Sequence, residues 1–287
     1  MKKLSGHTKP YAVLGHPIGH TLSPVMHNAS MESLGLDAIY LAFDVHPDRL
    51  ISVLASMRDM GFGGVNLTVP LKEIAFQHLT DLDESARIMG AVNTVSFHDE
   101  NMRGHNTDGY GFVQAVNEAF GPSIKQEHLF VLGTGGAGRA VALTCAGQGA
   151  ASLTLSDLDL DRCERVADEI RRVAPALPVS IVTGSDATQA ARTADIIIQS
   201  TPVGMKKDDP SLLPPEAFRT GQKVYDLIYM YPETALLKIA RDRGAQVANG
   251  LGMLLHQGAR AFTIWTGLEP DTEAMRQALE HAVYGHA

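Results

Sequence analysis

EHLFVLGTGGAG, at residues 127–138, is the strongest structural signal in this chain. Its apolar run ends at Gly133, and Gly133, Gly135 and Gly138 have the GxGxxG spacing of dinucleotide sites. In such a site the first glycine makes a tight turn, the second lets the backbone approach a pyrophosphate, and the third allows a helix to pack closely on a strand. The alternative is a glycine-rich turn with only a structural role in a βαβ unit.

The residues after the glycines favour the dinucleotide site. A helical run extends from Arg139 to Gln148, and the strand-like run that follows ends in Asp157. Asp157 lies 157 − 133 = 24 residues after Gly133, close to the spacing of the acid that binds an adenosine ribose. We therefore predict that these glycines and Asp157 bind a nicotinamide dinucleotide.

Composition narrows the class of protein. The 287 residues suffice for two domains, and 45% hydrophobic with 20% charged residues is typical of a soluble globular protein. A net charge of −8 without a lysine or arginine block argues against a nucleic-acid partner. No segment is apolar enough to span a membrane, so we expect a cytoplasmic protein. Cys145 and Cys163 lack CxxC spacing and are expected to be buried, reduced thiols.

Strand-like and helix-like segments alternate along the chain, which predicts an α/β fold of parallel sheets covered by helices. We expect the last two helices to pack on the first domain, so that residues 1–108 with 251–287 form one domain and 109–250 the dinucleotide-binding domain. The predicted strands lie at residues 11–15, 39–44, 64–69, 91–97, 100–104, 128–132, 152–157, 178–182, 195–199, 223–227 and 245–248. The predicted helices lie at 24–34, 47–60, 110–120, 139–148, 251–266 and 271–283, with another beginning at residue 71.

The segment GHPIGHTLSP, residues 15–24, joins the first strand to the first helix. Ser23 is a good N-cap residue, and Pro24 suits the first helical position. The hydroxyls of Thr21 and Ser23 at a helix N-terminus favour anion binding, and the alternative is a capped helix alone. His16 and His20 have no carboxylate or thiolate at ligand spacing, so we expect no metal.

A second cluster is NLTVPLK, residues 66–72. Alternation along a strand places Asn66 and Thr68 on one face, and Pro70 opens the next helix. Lys72 then lies in the first helical turn, where the positive end of the helix dipole favours a lowered pKa suited to proton transfer. The alternative is a solvated surface lysine.

Two further clusters, AVNT at 91–94 and GHNTDG at 104–109, contribute Asn93 and Asp108. Each cluster alone could be turn chemistry. Taken together with Lys72, the hydroxyls, amides and carboxylate suit a small polyhydroxylated acid as the substrate.

These motifs resemble the shikimate dehydrogenase family, which includes the quinate/shikimate dehydrogenases. The resemblance implies an N-terminal substrate domain, a Rossmann-type dinucleotide-binding domain and a cleft between them. The matching motifs run in family order and are GHPIGHTLSPVMHN (15–28), GVNLTVPLKE (64–73), GAVNT (90–94), GHNTDG (104–109), GTGGAGRA (133–140), STPVGM (200–205), YDLIY (225–229) and NGLGMLLHQGA (249–259).

The resemblance also implies roles for individual residues. Lys72 and Asp108 would be the catalytic pair, and Thr21 with Ser23 would bind the substrate carboxylate. The substrate ring would be held by Asn66, Thr68, Asn93, Asp108 and Gln257, with Tyr229 lining the substrate side. The cofactor would be bound by Gly133, Gly135, Gly136, Ala137, Gly138, Asp157, Thr201, Gly250 and Met253.

The chain departs from the family pattern at two places. Thr21 stands where most members have serine, and its methyl group would crowd the additional hydroxyl of quinate. Asp157 lies where members that use NADP carry the arginine of an Asn-Arg-Thr run, so we expect NAD to be preferred over NADP. The alternative is that Asp157 caps the helix that begins near Asp159 and that Arg162 binds a 2′-phosphate.

The resulting expectation is a metal-free shikimate dehydrogenase that transfers a hydride reversibly at C3 of shikimate and 3-dehydroshikimate. A quinate dehydrogenase of the same family and a non-catalytic small-molecule sensor are the alternatives. Retention of both Lys72 and Asp108 counts against a sensor, because binding alone would not require a proton-transfer pair. The sequence leaves monomer and homodimer open.

Overall fold

The computed structural model describes residues 4–98 and 101–285. The chain forms two compact units, one made of the residues up to Gly111 together with those from Leu255, and the other of Phe112–Leu254. Each unit contains a six-stranded sheet with helices, which confirms the α/β class. Residue 100, predicted to begin a strand, lies outside the described residues.

The first unit has a mixed sheet. In it β1 pairs in parallel with β2 and β3, and β5 pairs antiparallel with β3 and β6, giving the order β2-β1-β3-β5-β6-β4. Its strands are β1 (Lys9–Gly15), β2 (Ala38–Asp44), β3 (Gly64–Leu67), β4 (Asp81–Leu82), β5 (Thr94–His98) and β6 (Asn101–His105). Its helices are α1 (Ser23–Ser33), α2 (Leu50–Asp59), α3 (Leu71–His78), α4 (Glu84–Met89) and α11 (Thr272–Tyr284), with the first residues of α5 (Asp108–Phe120) and most of α10 (Leu251–Thr266).

Both faces of strand β1 are buried, which explains its continuous apolar run. Ala12 and Leu14 face a core that includes Leu54 of α2, whereas Tyr11 and Val13 face another core. The second core includes residues of β2, α1 and α10. Helix α10 is fixed to the sheet by Trp265, whose Nε1 donates to the Val95 carbonyl at 3.0 Å.

The second unit has an entirely parallel sheet with the order β12-β11-β10-β7-β8-β9. This is the doubly wound order, in which ligands bind beyond the carboxyl ends of the strands where the order reverses, here between β7 and β10. Its strands are β7 (His128–Leu132), β8 (Ser152–Ser156), β9 (Val179–Ile181), β10 (Ile196–Gln199), β11 (Lys223–Asp226) and β12 (Gln246–Asn249). Its own helices are α6 (Gly136–Gly147), α7 (Leu160–Val173), α8 (Ser185–Thr193) and α9 (Ala235–Asp242).

Several predicted boundaries differ from the structure. The helix predicted at 47–60 begins with a short 3₁₀ turn at Pro47–Arg49, because Pro47 fixes the backbone before α2 starts. Strand β3 ends at Leu67, two residues earlier than predicted, because the Thr68 carbonyl accepts from the Leu71 amide in a turn and Pro70 has no amide to donate. Strand β4 and helix α4 were not predicted, since both are very short. Cys145 and Cys163 are buried free thiols.

Candidate active site and dinucleotide site

Lys72 and Asp108 form an ion pair in the first unit. Lys72 is the second residue of α3, so it lies in the first helical turn as predicted, and Asp108 is the first residue of α5. The Lys72 Nζ atom donates to Asp108 Oδ2 at 2.7 Å, and the two side chains are 28% and 16% exposed. A carboxylate suits the positive end of a helix dipole, whereas the ammonium of Lys72 is held there by its partner.

The other carboxylate oxygen of Asp108 is fixed by Asn93. The Nδ2 atom of Asn93 donates to Asp108 Oδ1 at 2.8 Å and to Thr107 Oγ1 at 2.9 Å. The Asn93 Oδ1 atom accepts from the Thr107 amide at 2.8 Å, and the Asp108 amide donates to Asn106 Oδ1 at 3.0 Å. The carboxylate is thus oriented from both sides, with one oxygen directed to Lys72.

Asn66 is buried next to Asn93. Its Nδ2 donates to the Asn93 carbonyl at 3.1 Å and to Thr94 Oγ1 at 3.0 Å, and its Oδ1 accepts from the Tyr40 hydroxyl at 2.6 Å. The side-chain amides of Asn66 and Asn93 therefore bond within the protein. Their predicted contact with a ring hydroxyl stays a prediction, as does that of Thr68, which is half-buried just after β3.

The prediction that Ser23 is an N-cap is wrong. The residue before the helix is Leu22, whose backbone is already helical (φ −100°, ψ −2°), so α1 starts at Ser23 and Pro24 is its second residue. Leu22 supplies no side-chain cap, and Ser23 lies inside the helix rather than before it. The Thr21 hydroxyl donates to Ser23 Oγ at 3.3 Å. Two adjacent hydroxyls therefore lie at the start of α1 without a capping role for Ser23.

Gln257 and Tyr229 belong to different units. Gln257 lies on α10 in the first unit, and Tyr229 follows β11 in the second; both are half-buried. Burial raises the pKa of the Tyr229 hydroxyl, so that group stays protonated near neutral pH.

The glycine-rich turn fits a dinucleotide. Gly133 has φ +95°, and a Cβ built on Gly138 would lie 2.0 Å from the Gly133 carbonyl oxygen, so helix α6 needs glycine to approach β7 this closely. By contrast, a Cβ on Gly135 or Gly136 would meet no atom within 4 Å. The turn is open at the N-terminus of α6, where Ala137 is also exposed, and this is the place that a pyrophosphate takes in this fold.

Asp157 lies at the end of β8, next to this turn. Its Oδ2 accepts from the Thr134 amide at 2.7 Å and from Thr134 Oγ1 at 3.0 Å, and its Oδ1 accepts from the Asp159 amide at 3.0 Å. Burial acts to raise the pKa of Asp157, but these hydrogen bonds and the nearby Arg162 outweigh it, so the pKa lies below its ordinary value. Asp157 is therefore an anion at neutral pH.

The alternative roles for Asp157 and Arg162 can be compared with these contacts. Asp159, not Asp157, caps α7, because its Oδ1 accepts from the Arg162 amide at 3.0 Å. The Arg162 guanidinium lies 3.1 Å from Asp159 Oδ2 and 3.6 Å from Asp157 Oδ2. Binding of a phosphate by Arg162 would have to compete with both carboxylates.

Two buried polar residues at the carboxyl ends of strands were missed. Gln199 ends β10, and its side chain donates to the Val203 carbonyl at 2.8 Å and accepts from the Thr201 amide at 2.6 Å. Asp226 ends β11 and accepts from the Ile228 amide at 3.0 Å and from Thr234 Oγ1 at 2.7 Å. The sequence did contain a signal for both residues: each is a polar residue at the last position of a mostly apolar strand.

Gln199 holds the loop after β10, which carries the predicted cofactor residue Thr201. Asp226 holds the loop after β11. Thr201 lies in the loop after β10, where its Cγ2 would be 2.8 Å from a Cβ on Gly133. Gly250 begins the turn into α10, and a Cβ there would lie 2.0 Å from the Leu227 carbonyl oxygen. Met253 is half-buried on the first turn of α10.

Within residues 4–98 and 101–285, no group of three or more histidine, cysteine, aspartate or glutamate side chains is arranged to hold a metal ion. In the same part of the chain, no helix has the length and apolar character needed to cross a membrane.

Comparison with known proteins gives consistent matches over the chain. The model of the shikimate dehydrogenase substrate binding domain matches residues 13–95, and that of the shikimate 5′-dehydrogenase C-terminal domain matches residues 250–280. A shikimate dehydrogenase (NADP(+)) of Moorella thermoacetica is 41% identical over 286 residues, covering 99% of this chain and 96% of the relative. The corresponding protein of Methanopyrus kandleri is 40% identical over 278 residues, 96% of each chain.

Solved structures agree with these relatives. A shikimate dehydrogenase crystallised with NADP+ has a TM-score of 0.90 and 36% identity, with 98% of each chain covered. Shikimate 5-dehydrogenase from Listeria monocytogenes, in complex with shikimate and NAD, has a TM-score of 0.90 and 33% identity over 97% of this chain and 99% of that one. Quinate dehydrogenase from Corynebacterium glutamicum, in complex with NAD, has a TM-score of 0.88 and 31% identity over 94% and 98% of the two chains.

Proposed function

Because this chain belongs to the shikimate dehydrogenase family, we propose that it interconverts shikimate and 3-dehydroshikimate with a nicotinamide dinucleotide. The observation that carries this proposal is the Lys72–Asp108 ion pair, with Asn93 holding the second carboxylate oxygen. An ammonium that is positioned by a fixed carboxylate suits transfer of one proton to a substrate oxygen. The residue pair is what a reversible ketone reduction needs beyond the cofactor.

The residues of the first unit have distinct roles in this reaction. The Lys72 Nζ atom donates a proton to the C3 oxygen during reduction and accepts it back during oxidation. Asp108 keeps the ammonium in place through Oδ2. Thr21 and Ser23 hold the substrate carboxylate at the N-terminus of α1, where the helix dipole favours an anion. Asn66, Asn93, Thr68 and Gln257 surround the ring.

The second unit holds the dinucleotide, which supplies or accepts the hydride when bound. The open turn at Gly135 and Gly136 takes the pyrophosphate, and Gly133 with Gly138 gives the turn its shape. We assign residues 1–108 with 251–287 to the substrate domain and 109–250 to the dinucleotide-binding domain. In support, the two compact units divide close to these positions.

We further propose that NAD is preferred over NADP. The relatives from Moorella and Methanopyrus are named as NADP(+) enzymes, which leans against this preference. The support comes from the chain itself, because Asp157 is ionised and Arg162 is already paired with two carboxylates. The Asp157 Oδ1 atom, with one hydrogen bond among the described residues, has room to accept a ribose hydroxyl.

The size of this effect follows from charge. A 2′-phosphate about 4 Å from Asp157 would be repelled by roughly 4 kcal/mol per unit charge at an effective dielectric constant near 20, which solvent lowers to about 1–3 kcal/mol. We therefore expect kcat/KM to favour NAD by about tenfold to a hundredfold.

The test is steady-state kinetics with shikimate and quinate against NAD and NADP. Proposed shikimate oxidation fails if neither dinucleotide supports it, and the cofactor proposal alone fails if kcat/KM is higher with NADP. The variant Asp157→Ala should lose NAD activity and gain NADP activity. Asp161→Ala removes an exposed carboxylate from the first turn of α7 and is the matched control, with an unchanged ratio expected.

A quinate dehydrogenase is the second candidate, favoured by the 31% identity to the Corynebacterium glutamicum enzyme over 94% of this chain. A quinate dehydrogenase would use the same catalytic pair, so the preference between quinate and shikimate would be set near Thr21. A kcat/KM for quinate above that for shikimate would select it. A protein that binds shikimate but oxidises neither compound would instead be a sensor.

A further inference from the structure

Tyr40 lies at one end of a buried hydrogen-bond chain in the first unit. It belongs to β2, and its side chain is 1% exposed. Its hydroxyl donates to Asn66 Oδ1 at 2.6 Å. The phenol group therefore fixes the oxygen end of the Asn66 side-chain amide.

The chain continues from Asn66 to the catalytic residues. The Asn66 Nδ2 atom donates to Thr94 Oγ1 at 3.0 Å, and Thr94 donates to Asn93 Oδ1 at 2.9 Å. Asn93 then donates to Asp108 Oδ1 at 2.8 Å, and Asp108 accepts from Lys72 through its other oxygen. Every link from Tyr40 to Lys72 is a direct hydrogen bond.

The ring of Tyr40 is held so that its hydroxyl has little freedom. It stacks on the His27 ring with centroids 4.2 Å apart and planes 10° from parallel, and the Trp265 ring lies 6.1 Å away. Burial raises the pKa of the Tyr40 hydroxyl well above its ordinary value, so it remains a donor at any physiological pH. The Tyr40 hydroxyl is therefore always the donor in its hydrogen bond to Asn66.

We propose that Tyr40 is a positioning residue for the reaction: its hydroxyl sets the side-chain orientation of Asn66 and, through Thr94 and Asn93, that of the Lys72–Asp108 pair. This inference rests on the proposed function. Without the hydroxyl, Asn66 Oδ1 would be a buried acceptor without its donor. Such a group finds another partner or admits water, and the Asn66 side chain would shift.

The variant Tyr40→Phe removes only the hydroxyl and keeps the ring that stacks on His27. We expect KM for shikimate to rise about tenfold and kcat to fall about threefold, which is the size of one lost buried hydrogen bond. KM for the dinucleotide should not change. Tyr11→Phe is the matched control, because Tyr11 is the register partner of Tyr40 on β1, packs on Trp265, and lies outside the hydrogen-bond chain.

A double-mutant cycle tests the route through Asn66. In the background of Asn66→Ala, the change Tyr40→Phe should raise KM for shikimate much less than in the wild type. Fully additive effects on KM, or a lower melting temperature with unchanged KM and kcat, would overturn the inference.

Crystal structures of the two tyrosine variants separate this inference from the proposed function. If the wild type does not oxidise shikimate, the proposed function fails, and the orientations alone decide the role of Tyr40. A displaced Asn66 side chain in Tyr40→Phe, but not in Tyr11→Phe, supports positioning. Unmoved side chains in both variants overturn it.

Discussion

The ammonium of Lys72 and the carboxylate of Asp108 are joined at 2.7 Å although the residues lie in the first turns of different helices, α3 and α5. Helix α3 follows β3 and α5 follows β6, and Asn93, which directly precedes the intervening strand β5, donates to Asp108. The pair is mostly shielded from water, with 28% and 16% of the two side chains exposed. Its geometry therefore depends on the sheet rather than on the two side chains alone.

Replacing Lys72 with methionine should lower kcat on the order of a hundredfold or more, because the positioned proton donor is lost. The dinucleotide affinity, measured by fluorescence titration, should stay at the wild-type value. Lys9→Met is the control, since Lys9 is exposed at the start of β1. A Lys72→Met enzyme with near wild-type kcat across the pH range would contradict the assignment.

Ser23→Ala should weaken the binding of shikimate by about 1–3 kcal/mol, because a charged carboxylate loses a hydrogen bond. Since Ser23 does not cap α1, the melting temperature should change little. KM for shikimate and thermal unfolding are the two measurements. Reduced stability with unchanged KM would show that the hydroxyl serves the helix instead.

Thr21→Ser removes one methyl group from the proposed carboxylate anchor and keeps its hydroxyl. If the methyl group excludes quinate, the ratio of kcat/KM for quinate over shikimate should rise in this variant, by about tenfold at most. A ratio that does not change would remove Thr21 as the source of the preference.

The sheet of the second unit could be predicted because its strands are short apolar runs that alternate with helices, and the glycine pattern identified the first turn. The cap of α1 could not be predicted in this way. Ser23 and Pro24 carry the local signals of a helix start, yet Leu22 adopts a helical backbone and shifts the start by one residue. The preference of serine for the N-cap position was therefore outweighed by the helical backbone of Leu22 in the segment after β1.

Lys72 and Asp108, the proposed catalytic pair, could be named from motifs, but their supporting residues could not. Tyr40 lies in β2, where its side chain is buried in a core, and the sequence does not distinguish it from an ordinary core residue. Its hydrogen bond to Asn66 joins positions 26 residues apart, and no local pattern indicates that pairing. Long-range hydrogen bonds depend on the sheet order, which only the structure gives.

Gly138→Ala should destabilise the protein, because the added Cβ would lie 2.0 Å from the Gly133 carbonyl oxygen and 2.5 Å from Ser200 Oγ. Overpacking of this kind costs about 1–3 kcal/mol, and displacement of α6 should also weaken dinucleotide binding. Gly147→Ala is the control in the same helix, since its Cβ would meet no atom within 4 Å. Equal melting temperatures for the two variants would refute the close-packing role of Gly138.

Asp226 should make stability depend on pH in the direction opposite to that of most carboxylates. Burial raises its pKa from 3.8 to about 6, although hydrogen bonds from Thr234, Ile228 and Gln199 act to lower it. The folded protein therefore holds this proton more tightly than the unfolded chain, so this group's contribution to stability falls as pH rises from about 4 to about 6. A shift of about 2 units corresponds to about 3 kcal/mol.

The variant Asp226→Asn removes this dependence while leaving an amide oxygen to accept from the Ile228 backbone. Relative to wild type, its melting temperature should rise steadily between about pH 4 and about pH 7. Aspartates whose pKa is lowered, such as Asp157 and Asp195, give the usual loss of stability in acid, but they act equally in both proteins and cancel in the difference. A melting-temperature difference that stays constant over this pH range would show that the Asp226 carboxyl titrates at its ordinary pKa.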